Sequence, residues 1–298
     1  MAAVITAQQV KALRDMTGSG MMDCKKALVE TDGDMDKAVV ILREKGLATA
    51  AKKASRVAAE GFIGVYNDGK VAAIVEVNCE TDFVAKNPDF QAFANDIAAL
   101  VAKNNPADLE TLNASELKDG KSVEEARIDL VAVIRENMTV RRFARMEGNV
   151  AVYLHTGGTI GVICNFAAPI DAADGKYVCM QVASMNPPYL SKDNVPAEVI
   201  DGEKNIMIAQ MQQDPKFANK PAQVLEKIVS GKLGKFYSEN CLLEQEFNFS
   251  DDTMTVAQFI ASKGSSLVDY VRFERGEGIE KKKDDFAAEV AAMAGGNN

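Results

Sequence analysis

The 298-residue sequence predicts an α+β protein, and three features of its pattern carry this prediction. The first 54 residues repeat apolar side chains at helical spacing. A β-hairpin pattern followed by an amphipathic helix then occurs twice, near 62–103 and near 150–184. A helical segment near 186–235 follows the second of these patterns and precedes a further predicted strand at 267–273. We therefore expect an N-terminal three-helix module, two related α+β core subdomains with antiparallel sheets, an inserted helical hairpin and a C-terminal helix.

The N-terminal module is expected to contain three short helices. A capping box of Thr6 and Gln9 opens the first helix, and Asp34 is a candidate N-cap for the third. Gly46 stands where the third helix is expected to end, because glycine is common just past a helix C-terminus. Residues 47–60 are then expected to form a basic helical linker. Three helices of this size can close a small core of their own.

The first α+β unit begins with two predicted strands at 61–66 and 71–79, joined by an Asp-Gly turn of the kind that favours a hairpin. Asn87 is placed to cap a following helix whose first residue is a proline. A loose polar stretch is expected at 106–120, followed by a helix that another capping box opens. Residues 140–146 are predicted to form the last strand of this unit.

The second α+β unit repeats this order. Strands are predicted at 150–154 and 160–166, followed by a helix over 172–184. Within the insert, two helices joined by a proline-containing turn are expected to form an antiparallel hairpin. A strand at 267–273 returns the chain to the sheet, and an apolar stripe at 286–293 predicts the C-terminal helix.

These elements divide the chain into four predicted domains. They are residues 1–54, 55–146, 147–275 and 276–298, with the hairpin near 186–235 inserted in the third. The chain is 47% hydrophobic, which is ample for a core, and its length alone suggests about two domains.

Composition argues against several classes of protein. The net charge of −9 and the pI near 4.9 argue against direct nucleic-acid binding, which usually needs a basic face. No stretch has the pattern of a signal peptide or the length of a membrane span. The five cysteines are scattered without a C-x-x-C pair, which is typical of reduced, buried thiols in the cytosol. We expect a cytoplasmic protein that binds neither nucleic acid nor membranes.

No motif predicts an active site. The one histidine, His155, lies in a glycine-rich turn without a nucleophile and an orienting group beside it. The nearest approach to a phosphate-binding loop, at 230–235, lacks the required spacing. Glu80 and Asp82 suggest an acid/base pair, but such pairs are common among 43 acidic residues. We expect no enzyme, no cofactor and no metal site.

A local basic cluster precedes the second unit. It consists of Arg141, Arg142 and Arg145, which surround Phe143. Contact with phosphate or RNA is one interpretation, and the solvated face of a strand is the other. We favour the solvated face.

Three regions of the sequence carry long motifs in a fixed order. The first is MTGSGMMDCKKAL at 16–28, and the second is VNCETDFVAKN at 77–87. The third region combines the short stretches 272–273, 276–280 and 285–290. Together these motifs resemble the elongation factor Ts family along the whole chain, and their length makes a chance match a poor explanation.

The resemblance implies an architecture and a function. Family members have a ubiquitin-associated-like N-terminal module, two related α+β subdomains, an inserted helical hairpin and a C-terminal helical module. They are guanine-nucleotide exchange factors that bind elongation factor Tu, both GDP-bound and nucleotide-free, and promote replacement of GDP by GTP. The loop that matches Thr81, Asp82, Phe83 and Val84 works near the Mg²⁺ of the partner's nucleotide. These four residues are therefore the expected partner-binding and Mg²⁺-displacing site.

Two interpretations of Phe83 remain open from the sequence. Phe83 is a large apolar side chain between Asp82 and Lys86, which suits a wedge that enters the partner. The same side chain equally suits a core position against the helix that carries Phe90 and Phe93. The pattern alone favours the core position, and the family resemblance favours the wedge.

Two other functions compete with nucleotide exchange. One is a ribosome- or RNA-associated adaptor without exchange activity, which binds through the basic linker. The basic side chains of that linker are Lys52, Lys53 and Arg56. The other is an enzyme built on Cys24 or Cys79 together with His155.

Overall fold

The computed structural model describes residues 4–213 and 222–280 and confirms the α+β class. The C-terminal helix predicted around 286–293 lies outside the described residues, as does the predicted proline-containing turn of the hairpin. The two sheets are antiparallel and each contains three strands.

The N-terminal segment forms the three predicted helices, α1 (Ala7–Thr17), α2 (Met21–Glu30) and α3 (Met35–Lys53). The capping box is confirmed, since Thr6 Oγ1 accepts from Gln9 N at 3.2 Å while Gln9 Oε1 accepts from Thr6 N at 2.9 Å. Apolar side chains from all three helices meet in one cluster. Its buried members are Val10, Leu13, Cys24, Ala27, Leu28, Ala38 and Leu42.

The first sheet has the order β1 (Glu60–Asn67), β2 (Val71–Cys79) and β3 (Met138–Glu147). A single helical turn, α4 (Asp82–Ala85), follows β2, and the long helix α5 (Pro88–Asn104) covers one face of the sheet. The strand predicted at 71–79 is confirmed at both ends. β2 is the central strand and is buried on both faces, which explains its nearly continuous apolar sequence.

Two helices connect α5 to β3. They are α6 (Leu109–Ala114) and α7 (Val123–Ile134), and the predicted capping box of Ser122 and Glu125 opens α7. The stretch 106–120 is therefore not a loose segment throughout. Leu112 of α6 is completely buried, which ties this stretch to the first core.

The predicted end of the third helix at Gly46 is wrong, because α3 continues to Lys53. Gly46 is buried and faces α7, where an added Cβ would lie 3.2 Å from Cβ of Ala132. The glycine therefore serves close helix-to-helix packing and does not end the helix. The linker predicted as helical over 47–60 is correspondingly divided, with its first part in α3 and its last residue in β1.

The second sheet has the order β4 (Asn149–Leu154), β5 (Ile160–Phe166) and β6 (Leu267–Glu274). The strand predicted at 160–166 is confirmed at both ends. Helix α8 (Ala172–Met185) packs on β4 and β5 as α5 packs on the first sheet. The predicted repetition of a hairpin followed by a helix is thus present in both units.

The insert between α8 and β6 is helical. It contains α9 (Ala197–Gln213) and α10 (Ala222–Asn240), and α11 (Val256–Ser262) follows before β6. α10 extends past residue 235, where the hairpin was expected to end. The two long helices pack on each other through Met207, Met211, Val229 and Leu233.

The two sheets pack face to face, so the core consists of four layers, with helix, sheet, sheet and helix in turn. Strands β1 and β2 contact β4 and β5 across this interface. One cluster of apolar side chains lies in this interface. Its buried members are Ile63, Ala72, Ile74, Ile163 and Phe273. This sandwich carries the candidate site at one end of β2.

Candidate functional site

The expected site residues, Thr81–Val84, which we call the TDFV turn, lie just past the C-terminal end of β2, the central strand of the first sheet. They do not form an irregular loop, because α4 makes one turn of helix here. Thr81 is its N-cap, and its Oγ1 accepts from Val84 N at 3.4 Å. The N–H of Ala85 donates to Thr81 O at 3.2 Å. The turn thus has a defined backbone conformation.

The side chains of this turn point in different directions. Phe83 is 81% exposed, whereas Val84 is only 8% exposed and belongs to the first core. The alternative in which Phe83 is a core residue is therefore wrong. Helical geometry explains the difference, since successive side chains on one turn point about 100° apart. Val84 anchors the turn, and Phe83 is presented to solvent.

Asp82 lies beside Phe83 on the exposed side of the turn. Its carboxylate forms an ion pair with Lys86, with 2.6 Å between Nζ and Oδ2. The hydrogen bond from Lys86 is the main reason that the pKa of Asp82 lies below its ordinary value. The exposed end of the turn therefore carries an aromatic ring next to an ionised carboxylate.

Residues distant in sequence hold the base of the turn, and no motif in the sequence marks them. Glu136 Oε2 accepts from Glu80 N at 3.1 Å and from Thr81 N at 3.0 Å, and Thr81 Oγ1 donates to Glu136 Oε1 at 2.6 Å. Asn137 N donates to Glu80 Oε1 at 2.6 Å. The sequence signal available was weak, consisting only of two polar residues between a helix and a strand.

The suggested acid/base pair of Glu80 and Asp82 is not formed as such. Glu80 accepts the bond from Asn137 N and pairs with Arg56, with 3.4 Å between Nη1 and Oε2. This leaves Glu80 in a structural role. Arg56, one of the three basic side chains proposed to contact RNA, is correspondingly engaged within the protein.

The basic cluster is not the solvated face of a strand, so this interpretation is wrong. Arg141 and Arg142 both bind the fully buried carboxylate of Glu76, at 3.0 Å and 2.6 Å. Arg145 Nε donates to the carbonyl oxygen of Ala102 at 2.9 Å. The sequence shows no partner for these three arginines. In the fold, Glu76 of the neighbouring strand β2 pairs with Arg141 and Arg142, and Ala102 of α5 accepts from Arg145.

The thiols proposed as nucleophiles are buried. Burial raises the pKa of Cys79 to about 12 and also raises that of Cys24. An activated cysteine has a lowered pKa, so neither thiol resembles a nucleophile. His155 Nδ1 lies 2.8 Å from Oη of Tyr153, its hydrogen-bonding partner on β4.

The cysteines, the candidate metal ligands and the long helices of the described residues can be compared with what the sequence predicts. All five cysteines are buried and unbridged, as predicted. Across 4–213 and 222–280, no cluster of three or more His, Cys, Asp or Glu side chains is arranged to hold a metal ion. Within the same residues, no helix combines the length and the apolar character needed to cross a membrane.

Comparison with known proteins agrees with the motifs. Residues 80–277 match the family model described as Elongation factor TS. The chain is 48% identical over 307 residues to Elongation factor Ts of Clostridium perfringens strain 13, and equally to that of strain SM101. Each of these alignments covers 98% of this chain and 100% of the relative. The chain therefore belongs to the elongation factor Ts family and is a translation elongation factor.

Proposed function

We propose that this chain is a guanine-nucleotide exchange factor that binds elongation factor Tu. It recognises the GDP-bound form, promotes GDP release, holds the nucleotide-free form and allows GTP to enter. The observation that carries this proposal is Phe83, which is 81% exposed on a turn whose backbone is held by hydrogen bonds. A large exposed apolar side chain on an ordered turn offers binding energy to a partner and contributes little to this fold.

The proposed mechanism needs no chemical step from this chain. A translational GTPase holds GDP through backbone amides around the phosphates and through Mg²⁺. Phe83 enters between elements of the partner and displaces the segment that supports the Mg²⁺ site. Asp82, ionised beside it, disturbs the water shell of the partner's Mg²⁺ or the ligands of that ion. Thr81 caps the turn and Val84 anchors it, so both act by holding Phe83 and Asp82 in place.

Magnitudes show that the turn does not act alone. A 10⁴-fold faster release needs a barrier lowered by roughly 5 to 6 kcal/mol. Burying one phenylalanine contributes about 2 to 3 kcal/mol. A wider interface with the partner must therefore stabilise the distorted nucleotide site. Thermodynamic linkage then requires a reciprocal effect. GDP must weaken the binding of this protein to elongation factor Tu by the same ratio by which this protein weakens the binding of GDP.

The direct test measures release of fluorescent GDP from elongation factor Tu, chased with unlabelled nucleotide, with and without this protein. We expect the release rate to rise with factor concentration and to saturate. Bovine serum albumin at the same concentration is the control. A release rate that stays at the spontaneous value, although the two proteins form a complex, would contradict the proposal and favour an adaptor without exchange activity.

A further inference from the structure

A second turn lies beneath the TDFV turn and touches it. This supporting turn consists of Arg135, Glu136 and Asn137, between α7 and β3. Arg135 caps α7 with a φ of +66°, which directs the chain away from the helix axis. Because Cys79 and Met138 are paired in the register of β2 and β3, the residues just beyond these strand ends meet.

Glu136 binds the TDFV turn with both carboxylate oxygens. One oxygen accepts the backbone N–H groups of Glu80 and Thr81 at 3.1 and 3.0 Å, and the other accepts the hydroxyl of Thr81 at 2.6 Å. Such bonds to an ionised acceptor are about twice as strong as neutral ones. All three donors belong to the residues that lead into α4.

The bond to the hydroxyl also sets the direction of the helix cap. A threonine hydroxyl can donate one hydrogen bond, and Thr81 donates it to Glu136. The lone pairs of the hydroxyl oxygen then accept from Val84 N. Glu136 therefore orients the capping group of α4 as well as its backbone. Without Glu136, the hydroxyl is free to rotate and the cap loses its fixed orientation.

The supporting turn is itself held in place. Asn137 is 6% exposed, its N–H donates to Glu80 Oε1 at 2.6 Å, and its side-chain amide donates to Arg56 O at 2.7 Å. Glu136 thus projects from a braced backbone. A helix of four residues is too short to be stable by itself, so α4 depends on contacts of this kind.

From these contacts we infer that Glu136 is the positioning residue of nucleotide exchange, which acts by holding the TDFV turn so that Phe83 faces the partner. The inference rests on the proposed function, because it assigns Glu136 a part in that same site. Glu136 is not expected to touch the nucleotide. Its effect passes through the orientation of Phe83, and this gives the inference its own test.

The first experiment compares Glu136→Ala, Glu136→Gln and the control Glu110→Gln, which alters an exposed carboxylate on α6. We expect Glu136→Ala to lower the maximal rate of stimulated GDP release by about tenfold or more. The factor concentration for half-maximal release should change by less than about threefold, because the interface area is retained. Glu136→Gln keeps an oxygen that can accept from the two backbone N–H groups. Its maximal rate of stimulated GDP release should therefore lie between those of Glu136→Ala and the wild type.

A double-mutant cycle with Phe83→Ala tests whether Glu136 acts through Phe83. If Glu136 only positions the ring, Glu136→Ala should lower the maximal rate by less than about twofold further in a chain that already lacks the ring. If the fold-decrease in maximal rate of the double variant equals the product of the fold-decreases of the two single variants, Glu136 acts independently of Phe83. That result would overturn the inference.

Hydrogen exchange of the free protein gives a readout that does not depend on the partner. In Glu136→Ala, the amides of Val84 and Ala85 should exchange about tenfold faster or more, while those of β2 keep wild-type protection. Faster exchange throughout the chain together with a lowered melting temperature would indicate general destabilisation and overturn the positioning role. If Glu136→Ala does not fold, Glu136→Gln must show the same local effect in smaller measure.

Failure of the inference and failure of the proposed function give different results. A wild-type protein that leaves GDP release unchanged contradicts the proposed function and, with it, the role assigned to Glu136. If the wild type stimulates release and Phe83→Ala does not, the proposed function stands. If Glu136→Ala then stimulates GDP release as strongly as the wild type in the same assay, only the positioning role is overturned.

Discussion

Phe83 and Val84 are adjacent in sequence but have opposite environments. Val84 is 8% exposed and Phe83 is 81% exposed, so only Val84 contributes to the core. The ring of Phe83 is in contact with water in the free protein, and hydration of its apolar surface is unfavourable in free energy. Such a cost is recovered when a partner covers the ring. In the proposed function, Val84 therefore contributes to stability and its neighbour Phe83 contributes to binding.

We expect Phe83→Ala to retain the fold and most of the affinity for the partner, but to lose much of the exchange rate. Removing the ring should lower the maximal rate of GDP release by roughly 30- to 150-fold, which corresponds to about 2 to 3 kcal/mol. The free energy of unfolding should change by less than about 0.5 kcal/mol, because the side chain is exposed.

Urea unfolding and stimulated release at saturating factor are the two measurements. The control is Ile206→Ala, which truncates another exposed apolar side chain, 52% exposed on α9. A large loss of stability with normal release per folded molecule would exclude the wedge. Equal losses of release in both variants would show that any exposed apolar contact has the same effect.

The C-terminal half of helix α3 extends past the apolar cluster of the N-terminal module and packs along α7. Gly46 allows this approach, and the ion pairs of Arg43 with Glu125 and of Asp23 with Arg135 flank it. These pairs are exposed and contribute little by themselves. Close packing at Gly46 is the feature that determines how the module rests on the core.

We expect Gly46→Val to destabilise the protein by about 1 to 3 kcal/mol, because the added carbons meet Ala132 across a gap with no spare space. The control is Gly234→Val on α10, where an added Cβ meets nothing within 4 Å. Chemical denaturation of both variants measures the difference. Equal stabilities would show that α3 and α7 separate easily to accommodate the side chain.

At the level of the whole molecule, a buried carboxylate joins the two halves of the core. Glu76 lies on β2 and is fully buried, and Arg141 and Arg142 reach it from β3. The N–H of Gly276, just after β6, donates to it at 2.7 Å. Arg142 also covers the ring of Phe273 at 4.3 Å on β6. One side chain thus links the first sheet to the end of the second.

The ionisation of Glu76 is favoured by these bonds. Burial by itself raises the pKa of the carboxyl, but hydrogen bonds from Gly276 N, Asn78, Arg142 and Arg141 outweigh burial, and the pKa lies below its ordinary value of 4.5. A carboxyl whose pKa is lower in the folded state stabilises the fold at pH values above its unfolded pKa. This stabilisation is lost as the pH falls through the folded pKa.

We expect Glu76→Gln to lower the free energy of unfolding by about 3 kcal/mol at pH 7, because it leaves two arginines without their buried counter-charge. The deficit relative to the wild type should shrink as the pH falls below 4.5, where the wild-type carboxyl takes up its proton. Urea unfolding from pH 7 to pH 3 tests this. Glu147→Gln, whose side chain is 69% exposed, is the control and should cost less than about 1 kcal/mol. A deficit that stays constant with pH would contradict the role of the charge.

The four predicted domains remain a prediction at this scale. The boundary at residue 54 falls just after the end of α3 at Lys53, where the helical pattern stops. The packing of α3 on α7 nevertheless crosses this boundary. The N-terminal module and the first subdomain therefore share an interface that neither segment of sequence reveals by itself.

Local physics explains which features could be read from the residues in order. The strands at 71–79 and 160–166 and the capping boxes were predicted correctly. Each depends on groups within a few positions of one another, namely an alternation or run of apolar side chains, or a hydroxyl and an amide three residues apart. The family was also recognisable, because it rests on contiguous motifs. The role of the TDFV turn stays a prediction.

Features that depend on distant partners were decided by the folded chain. Thr81 and Glu136 are 55 positions apart, and Arg141 and Glu76 are 65 apart, so no local pattern connects either pair. The same limit applies to Gly46, whose neighbour Ala132 lies on another helix. The sequence left both environments open for Phe83. Burial and ion pairing are properties of what packs against a side chain, and packing is settled only when segments far apart in sequence come together.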